Sequence, residues 1–374
     1  MTEQNGSRRL NIGILGCRGI PNHYGGYEQF AEYLAYGLVR KGHQVGVYIS
    51  SLHPYADDSW RGVRLIRKPD PENQLGAFGQ FIYDLNCLRD ARRRKFDVLL
   101  QLGYTSSAVW YPVWPADARH IVHLDGLEWK RSKYAYPVRR FLKWMEGLVA
   151  RRADALIADS PVIKDYTRDA YRRHSELIAY GAETAIQPDL KHLEKMGLEP
   201  GNYLLAISRF VPENNLELIL EGYRNSDCAS PLVVIGNTGN RYGAWLTGKY
   251  ASPKILFPGA IYDKQILDSL RVYASLYFHG HSVGGTNPSL LEAMACRVPV
   301  CAHRNDFNAA VLGPDAFYFQ DSRQVSEILR DFGEQTADGR WTEANFQKIV
   351  TDYQWPVIID RMETLFFRVL NDRR

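Results

Sequence analysis

At 374 residues the chain is long enough for two domains, each able to bury its own core, and 45% hydrophobic with 24% charged residues describes a globular protein. No run of about 18 uninterrupted apolar residues exists, so no transmembrane helix is expected, and MTEQNGSRR at the start lacks an apolar signal core and reads as a short disordered lead-in. The net charge of +4 is unevenly shared: residues 1–185 carry 27 Lys and Arg against 20 Asp and Glu, and the remainder 19 against 22, so an anionic partner suits the first half. Five cysteines (17, 87, 228, 296 and 301) form no CxxC pair and no metal spacing. They read as small buried residues of a reducing compartment, which makes the protein cytoplasmic.

In chain order, residues 10–15 read as a buried strand and 16–26 as a glycine-containing loop. A helix over 27–39 follows, with Phe30, Tyr33, Leu34 and Leu38 at helical spacing, then a strand at 45–49. This is a Rossmann-type opening. The glycines at 13, 16 and 19 do not make GxGxxG, and no acidic residue closes the second strand, which argues against a dinucleotide. Gly25 and Gly26 stand directly before the helix, where backbone can approach a ligand closely; a plain turn has the same composition.

Short apolar runs at 63–66, 98–102, 121–124, 156–158 and 177–178 predict further strands. Asp125 falls just past the carboxyl end of its strand, the edge where open α/β sheets place their sites. A helix predicted over 137–152 combines Arg139, Arg140, Lys143, Arg151 and Arg152 with Phe141, Trp144 and Leu148. Basic and aromatic residues on one helix suit an anionic membrane surface; solvated charges over a core-facing stripe give the same pattern. Periodicity weakens over 185–200, near Pro188 and Pro200, which marks a domain junction.

A second α/β series follows, with strands at 203–208, 232–235, 255–257, 276–278, 300–302 and 317–319 and helices at 215–223 and 264–269. Arg209 directly follows the first of these strands, where a cation would face a phosphate, although a surface or ion-paired Arg is the plainer reading. The stretch HGHSVGGTNPSLLEAMACRVP, 279–299, joins a strand end, a Gly-Gly loop and a helix starting at Ser289. Free N–H groups and a positive helix end converge in such a place and make an anion site. Glu292 lies one turn into that helix; an ordinary strand-to-helix turn with a surface Glu fits as well. The last helix, 355–370, is amphipathic through Ile358, Met362, Leu365 and Phe366.

With ISRFVPENNLELILEGY and FHGHSVGGTNPSLLEAMACRVPV read together, the chain resembles the GT-B nucleotide-sugar glycosyltransferases, specifically the large retaining family numbered four. GCRGIPNHYGGYEQF and HLDGLEWKRSKY are similar to a branch of bacterial rhamnosyltransferases that build surface polysaccharides. The resemblance implies an α/β fold of two Rossmann-like domains facing across a cleft. An N-terminal acceptor-side domain, 1–187, is rejoined by the C-terminal helix crossing back at Trp355 (355–374), and 188–354 binds the nucleotide sugar. It implies that Gly25 and Gly26 leave room for the donor diphosphate and sugar, and that Arg209 binds the diphosphate. The N–H groups around Asn287, Ser289 and Leu290, next to Gly284, Gly285 and Thr286, would hold the distal phosphate. Glu292 would accept from ribose hydroxyls and Ile261 would lie beside the base. Asp125 would contact acceptor or donor sugar, or cap the loop that follows it.

The chain departs from the family at three features, spread over four positions. Gly284 stands where a second glutamate is usual, Asn214 and Asn215 where a lysine is, and Leu124 where many relatives have the histidine before Asp125. Loss of the glutamate suits a donor sugar lacking some hydroxyls, such as a 6-deoxy sugar, and the implied donor is dTDP-rhamnose, with a UDP- or GDP-sugar as the alternative. His123, one position off, would face away from the site if the strand reaches it. The implied reaction is metal-independent transfer with retention to a hydroxyl of a glycan or lipid-linked glycan, with peripheral membrane association. Neither a cofactor nor a nucleic acid partner is implied. Three other readings stand beside it: an epimerase, for which no proton-shuttling groups are identified; an oxidoreductase, which lacks the fingerprint; and a non-enzymatic nucleotide-sugar-binding protein.

Overall fold

A computed structural model describes residues 8–23, 25–131, 134–335 and 339–372, and the expected N-terminal lead-in lies, for residues 1–7, outside them. The chain divides into two compact units, Met1–Ala179 with Trp355–Arg374, and Tyr180–Gln354. The division falls before the junction expected at 187/188. The reason is local to the second unit: Ala182 N–H donates to the Tyr353 carbonyl at 2.7 Å, which ties residue 182 to that unit's last segment.

The first unit is built on β1 (Asn11–Leu15), β2 (Gln44–Ser50), β3 (Ser59–Trp60), β4 (Val63–Lys68), β5 (Val98–Leu102), β6 (Arg119–Leu124), β7 (Ala155–Ala158) and β8 (Ser175–Leu177). They form one sheet in the order β3-β4-β2-β1-β5-β6-β7-β8, parallel except for the short edge strand β3. Buried runs such as Val98-Leu99-Leu100 are what a parallel sheet covered on both faces requires. Helix Gly26–Arg40 buries Phe30, Leu34 and Leu38. The C-terminal helix Trp355–Asn371 belongs to this unit. Trp355 stacks on Tyr33 at 4.4 Å between centroids, and Glu363 takes Lys41 at 2.5 Å and His43 at 2.7 Å. Gly37 permits the approach, since a Cβ there would lie 2.3 Å from Ile359 Cδ1.

The second unit holds β9 (Leu204–Ile207), β10 (Leu232–Ile235), β11 (Ile255–Gly259), β12 (Leu276–His279), β13 (Val300–His303) and β14 (Phe317–Phe319), all parallel, in the order β11-β10-β9-β12-β13-β14. That is the doubly wound order, with the first strand central. Its core gathers Leu204, Leu220, Val234, Phe278, Phe319 and their neighbours. In each unit the first strand has its successor on one side and a later strand on the other, β5 beside β1 and β12 beside β9. At such a switch point the loops leave in opposite directions and open a crevice at the carboxyl edge.

Candidate functional site

Ser208 and Arg209 leave β9 at the second unit's switch point. Arg209 is exposed, and among the described residues no carboxylate pairs with it. The chain then turns through Pro212–Asn214 and passes the loop that leaves β12. The two loops are clipped together. Asn214 Nδ2 donates to the Arg209 carbonyl at 2.7 Å while its Oδ1 lies 2.9 Å from His281 Nδ1. Asn215 Nδ2 donates to the Gly280 carbonyl at 2.8 Å, and the Ser282 N–H donates to the Glu213 carbonyl at 3.0 Å. Gly280 is required there, because a Cβ would meet the Asn214 carbonyl oxygen at 2.0 Å. Asn308 Nδ2 and Asn305 Nδ2, from the segment after β13, both donate to the His281 carbonyl. Asn214, expected at the position of a family lysine, is therefore a buried brace that fixes where Arg209 leaves the sheet.

Gly284, Gly285 and Thr286 are buried on the way to helix Pro288–Ala295, and Gly284 has φ +133°, a backbone that disfavours any side chain. Asn287 caps the helix. Its Oδ1 accepts from Ser289 N–H at 2.9 Å and its carbonyl from Leu290 N–H at 3.1 Å. The Ser289 and Leu290 N–H groups expected to be open to a phosphate are thus already engaged within the cap, and an anion at Ser289 N–H would have to displace the Asn287 side chain. Leu290 itself is a core residue.

Glu292 is not a plain surface carboxylate. Its Oε2 lies 2.5 Å from Nη2 of Arg271, a guanidinium buried to 2% in helix Lys264–Val272. Arg271 also reaches Asp268 Oδ1 at 3.2 Å and Ser289 Oγ at 3.4 Å, and Ser289 Oγ in turn meets Tyr277 OH at 2.7 Å. The adjacent carboxylates hold the Arg271 charge in place against the cost of burial. Arg271 was not singled out from the sequence, although a signal exists. It falls on the apolar stripe Leu267, Leu270, Ala274, and a charge on such a stripe needs a buried partner. Ile261 follows β11, half-buried, at the same carboxyl edge. His279 ends β12 in the interior; burial and then His281 push its imidazole well below the usual range, so it is neutral. Its Nε2 finds no partner among the described residues.

In the first unit, Gly25 caps helix Gly26–Arg40 with extended backbone and no side-chain bond, and its position lies beside the buried Glu28, whose Oε1 accepts from Arg18 N–H at 2.8 Å. Asp125 follows β6, half-buried. His123 is fully buried, packed at 4.9 Å against Phe30, and burial pushes it down to about 4 with the Asp125 charge opposing. It is a neutral core histidine. Asp84 lies 4% exposed on helix Ala77–Ala91, accepting from Ser106 Oγ at 2.6 Å, and burial pushes its carboxyl up to about 7. Among the described residues no group of three or more His, Cys, Asp or Glu could hold a metal ion, and no helix is long and apolar enough to cross a membrane.

Residues 191–333 match the family model described as glycosyl transferases group 1, and residues 113–183 match a domain of unknown function, DUF1972. Among curated proteins no sequence matches the chain. Solved structures share the fold at low identity. A sucrose-phosphate synthase from Thermosynechococcus elongatus is 17% identical with a TM-score of 0.80, covering 96% of this chain and 99% of that one. Anabaena HepE in complex with UDP and glucose is 15% identical with a TM-score of 0.74, covering 96% and 100%. The Escherichia coli trehalose-6-phosphate structure bound with UDP-2-fluoro glucose is 12% identical with a TM-score of 0.70, covering 97% and 99%. The chain thus has the GT-B fold, two Rossmann-like sheets with a C-terminal helix returned to the first.

Proposed function

We propose that the protein is a retaining glycosyltransferase of the family-four type, moving a sugar from a nucleoside diphosphate donor to a hydroxyl of a glycan or lipid-linked glycan in surface polysaccharide synthesis. The observation that carries this reading is the carboxyl edge of the second sheet. There Arg209, a cation with no carboxylate partner among the described residues, and Glu292, a carboxylate held in place by a buried guanidinium, flank one switch point. Arg209 would meet the diphosphate, whose charge grows as the glycosidic bond breaks, and such preorganised stabilisation is commonly worth several kcal/mol. Glu292 would accept from the ribose and Ile261 would lie beside the base. Gly284, Gly285, Thr286 and Asn287 would border the phosphates. The Tyr180–Gln354 unit would be the donor side and the first unit the acceptor side, with Gly25 and Gly26 leaving room for the donor diphosphate and sugar and Asp125 contacting a sugar. The donor's own phosphate would take the acceptor proton on the same face, so neither a metal nor paired carboxylates are needed.

The ligands of the similar structures, UDP with glucose and UDP-2-fluoro glucose, favour a UDP-sugar. A 6-deoxy donor such as dTDP-rhamnose is supported by one feature, the glycine at 284 where the family's second carboxylate would meet sugar hydroxyls. The acceptor would be presented at the cytoplasmic face of the membrane, with the first unit attached peripherally. Incubation with a panel of UDP-, GDP- and dTDP-sugars, without acceptor, tests the reading: slow release of nucleoside diphosphate from one of them is expected. Saturable binding of a nucleotide sugar with no release, with or without glycan acceptors, would make the protein a binder instead.

A further inference from the structure

We infer that the first unit carries a binding cleft for the phosphate head of a membrane lipid, formed where helix Tyr136–Arg152 meets Trp129 and Tyr171. The cleft holds about 620 Å³, within the range of small-molecule sites. Its walls are aromatic, from Trp129, Tyr136, Trp144 and Tyr171, and four cations line it, Arg139, Arg140, Lys143 and Arg151.

Charge balance says what it takes. Lys143 is internally neutralised. Its Nζ lies 3.3 Å from buried Glu146 and 4.4 Å from the ring centroids of both Trp129 and Tyr166. Glu146 is saturated, because it also accepts from Tyr104 OH at 2.9 Å and Tyr171 OH at 2.6 Å. Arg139 is steered by its Nε, which donates to the Trp129 carbonyl at 2.8 Å. No carboxylate pairs with Arg139, Arg140 or Arg151 among the described residues. Three uncompensated guanidinium groups on apolar walls make a site for a compact, multiply charged anion, which guanidinium recognises by paired hydrogen bonds.

The surroundings say where that anion comes from. Trp144, 51% exposed, ends a file of aromatic rings that leaves the cleft across two helices. Phe141 lies 5.9 Å from Trp144, Phe81 lies 6.2 Å from Phe141, and Phe78, 65% exposed, lies 5.9 Å from Phe81. An apolar file beside a cationic cleft, exposed at Phe78, Phe141 and Trp144 and half-buried at Phe81, has no use for a soluble anion. It matches an amphiphile whose chain stays in the bilayer while its phosphate enters the cleft. The inference rests on the membrane-side acceptor of the proposed function and assigns it a place: Arg139, Arg140 and Arg151 take the phosphate, and Phe78, Phe81, Phe141 and Trp144 enter the lipid interface.

Flotation with vesicles of matched surface charge tests it, one set containing phosphatidic acid, whose phosphate monoester is exposed, and the other phosphatidylglycerol. Binding about ten-fold tighter to phosphatidic acid is expected. The preference should vanish in the Arg140→Ala/Arg151→Ala double variant, while Phe78→Ser/Trp144→Ser weakens attachment to both. Equal affinity for the two lipids, or a preference that survives loss of Arg140 and Arg151, overturns the cleft. Inorganic pyrophosphate whose binding is lost in Arg140→Ala/Arg151→Ala, yet which leaves vesicle attachment of the parent unchanged, also overturns it, because a soluble anion then holds the cleft. Thermal shift with UDP, GDP and dTDP in the same preparations keeps the two readings apart. Lipid preference without nucleotide binding retains the cleft and removes the transferase, and nucleotide binding without lipid preference does the reverse.

Discussion

Arg271 Nη2 lies 2.5 Å from Glu292 Oε2, and the guanidinium is all but sealed from solvent while the carboxylate keeps an open side. The pair links two helices of the second unit and sets the direction of the Glu292 carboxylate. Its two members should respond differently to substitution. Arg271→Met strands Asp268 and Glu292 beside an apolar group, and breaking a buried pair from one side costs about 3–5 kcal/mol. Glu292→Gln keeps a hydrogen-bond acceptor for Arg271 and should cost about 1 kcal/mol. Urea denaturation should show that difference, and isothermal titration should show weaker nucleotide binding by Glu292→Gln in a folded protein. Unchanged nucleotide affinity in that variant would return Glu292 to a purely structural role.

The brace between the β9 and β12 loops yields a second expectation. Asn214→Lys would restore the cation usual in the resembled family, yet position 214 is 5% exposed and bonded on both sides. It should therefore destabilise by about 2 kcal/mol, through the lost bonds and a buried charge, without improving nucleotide affinity. Gly280→Ala forces a methyl onto the Asn214 carbonyl and should cost about 2–3 kcal/mol, with loss of nucleotide binding. A Gly280→Ala protein that melts like the parent would mean the two loops are not coupled.

Much of this was legible in the residues. The apolar run Leu232–Ile235 matches its strand end to end because a strand buried on both faces has no polar interruptions. Helix Ala77–Ala91 carries no single apolar face along its sequence: Phe78 is exposed and Phe81 only half-buried. The Arg209 loop and the 279–299 stretch were legible as an anion edge because strand ends, glycines and a cap have local signatures. The partners of Glu292 and Asn214 were not. Arg271 and His281 reach them from 21 and 67 residues away, and no local pattern encodes such a bond. Lys143 is a mixed case: Glu146 lies one helical turn on, an (i, i+3) pair that the sequence does carry, while the rings of Trp129, Tyr166 and Tyr171 reach it only in space.

Asp84 makes stability depend on pH. Burial raises its carboxyl from the ordinary 3.8 to about 7. Below about pH 4 folded and unfolded chains both hold the proton, and the group costs nothing. Between 4 and 7 the unfolded chain ionises first, so stability falls as pH rises; above 7 the buried charge is carried in full. Asp84→Asn should be more stable than the parent by about 1–4 kcal/mol at pH 8, with the gap closing toward pH 4. Denaturant titrations at pH 5, 6, 7 and 8 check this, and a gap that stays constant with pH would show that Asp84 is solvated in solution.

Arg209 separates phosphate recognition from folding. Because it is exposed and unpaired among the described residues, Arg209→Ala should leave the melting temperature within about a degree of the parent, as surface changes away from special features do. A charge-assisted bond to a diphosphate is worth about 1.5–3 kcal/mol, so affinity for a nucleoside diphosphate should drop by roughly 10–100-fold. Affinity for the free nucleoside should barely move, since that part of the ligand would sit near Ile261 and Glu292. Titrating both ligands into parent and variant reads the difference directly. Equal losses for nucleoside and nucleoside diphosphate would place Arg209 outside the phosphate contact, and the charge on the departing diphosphate would then need another partner.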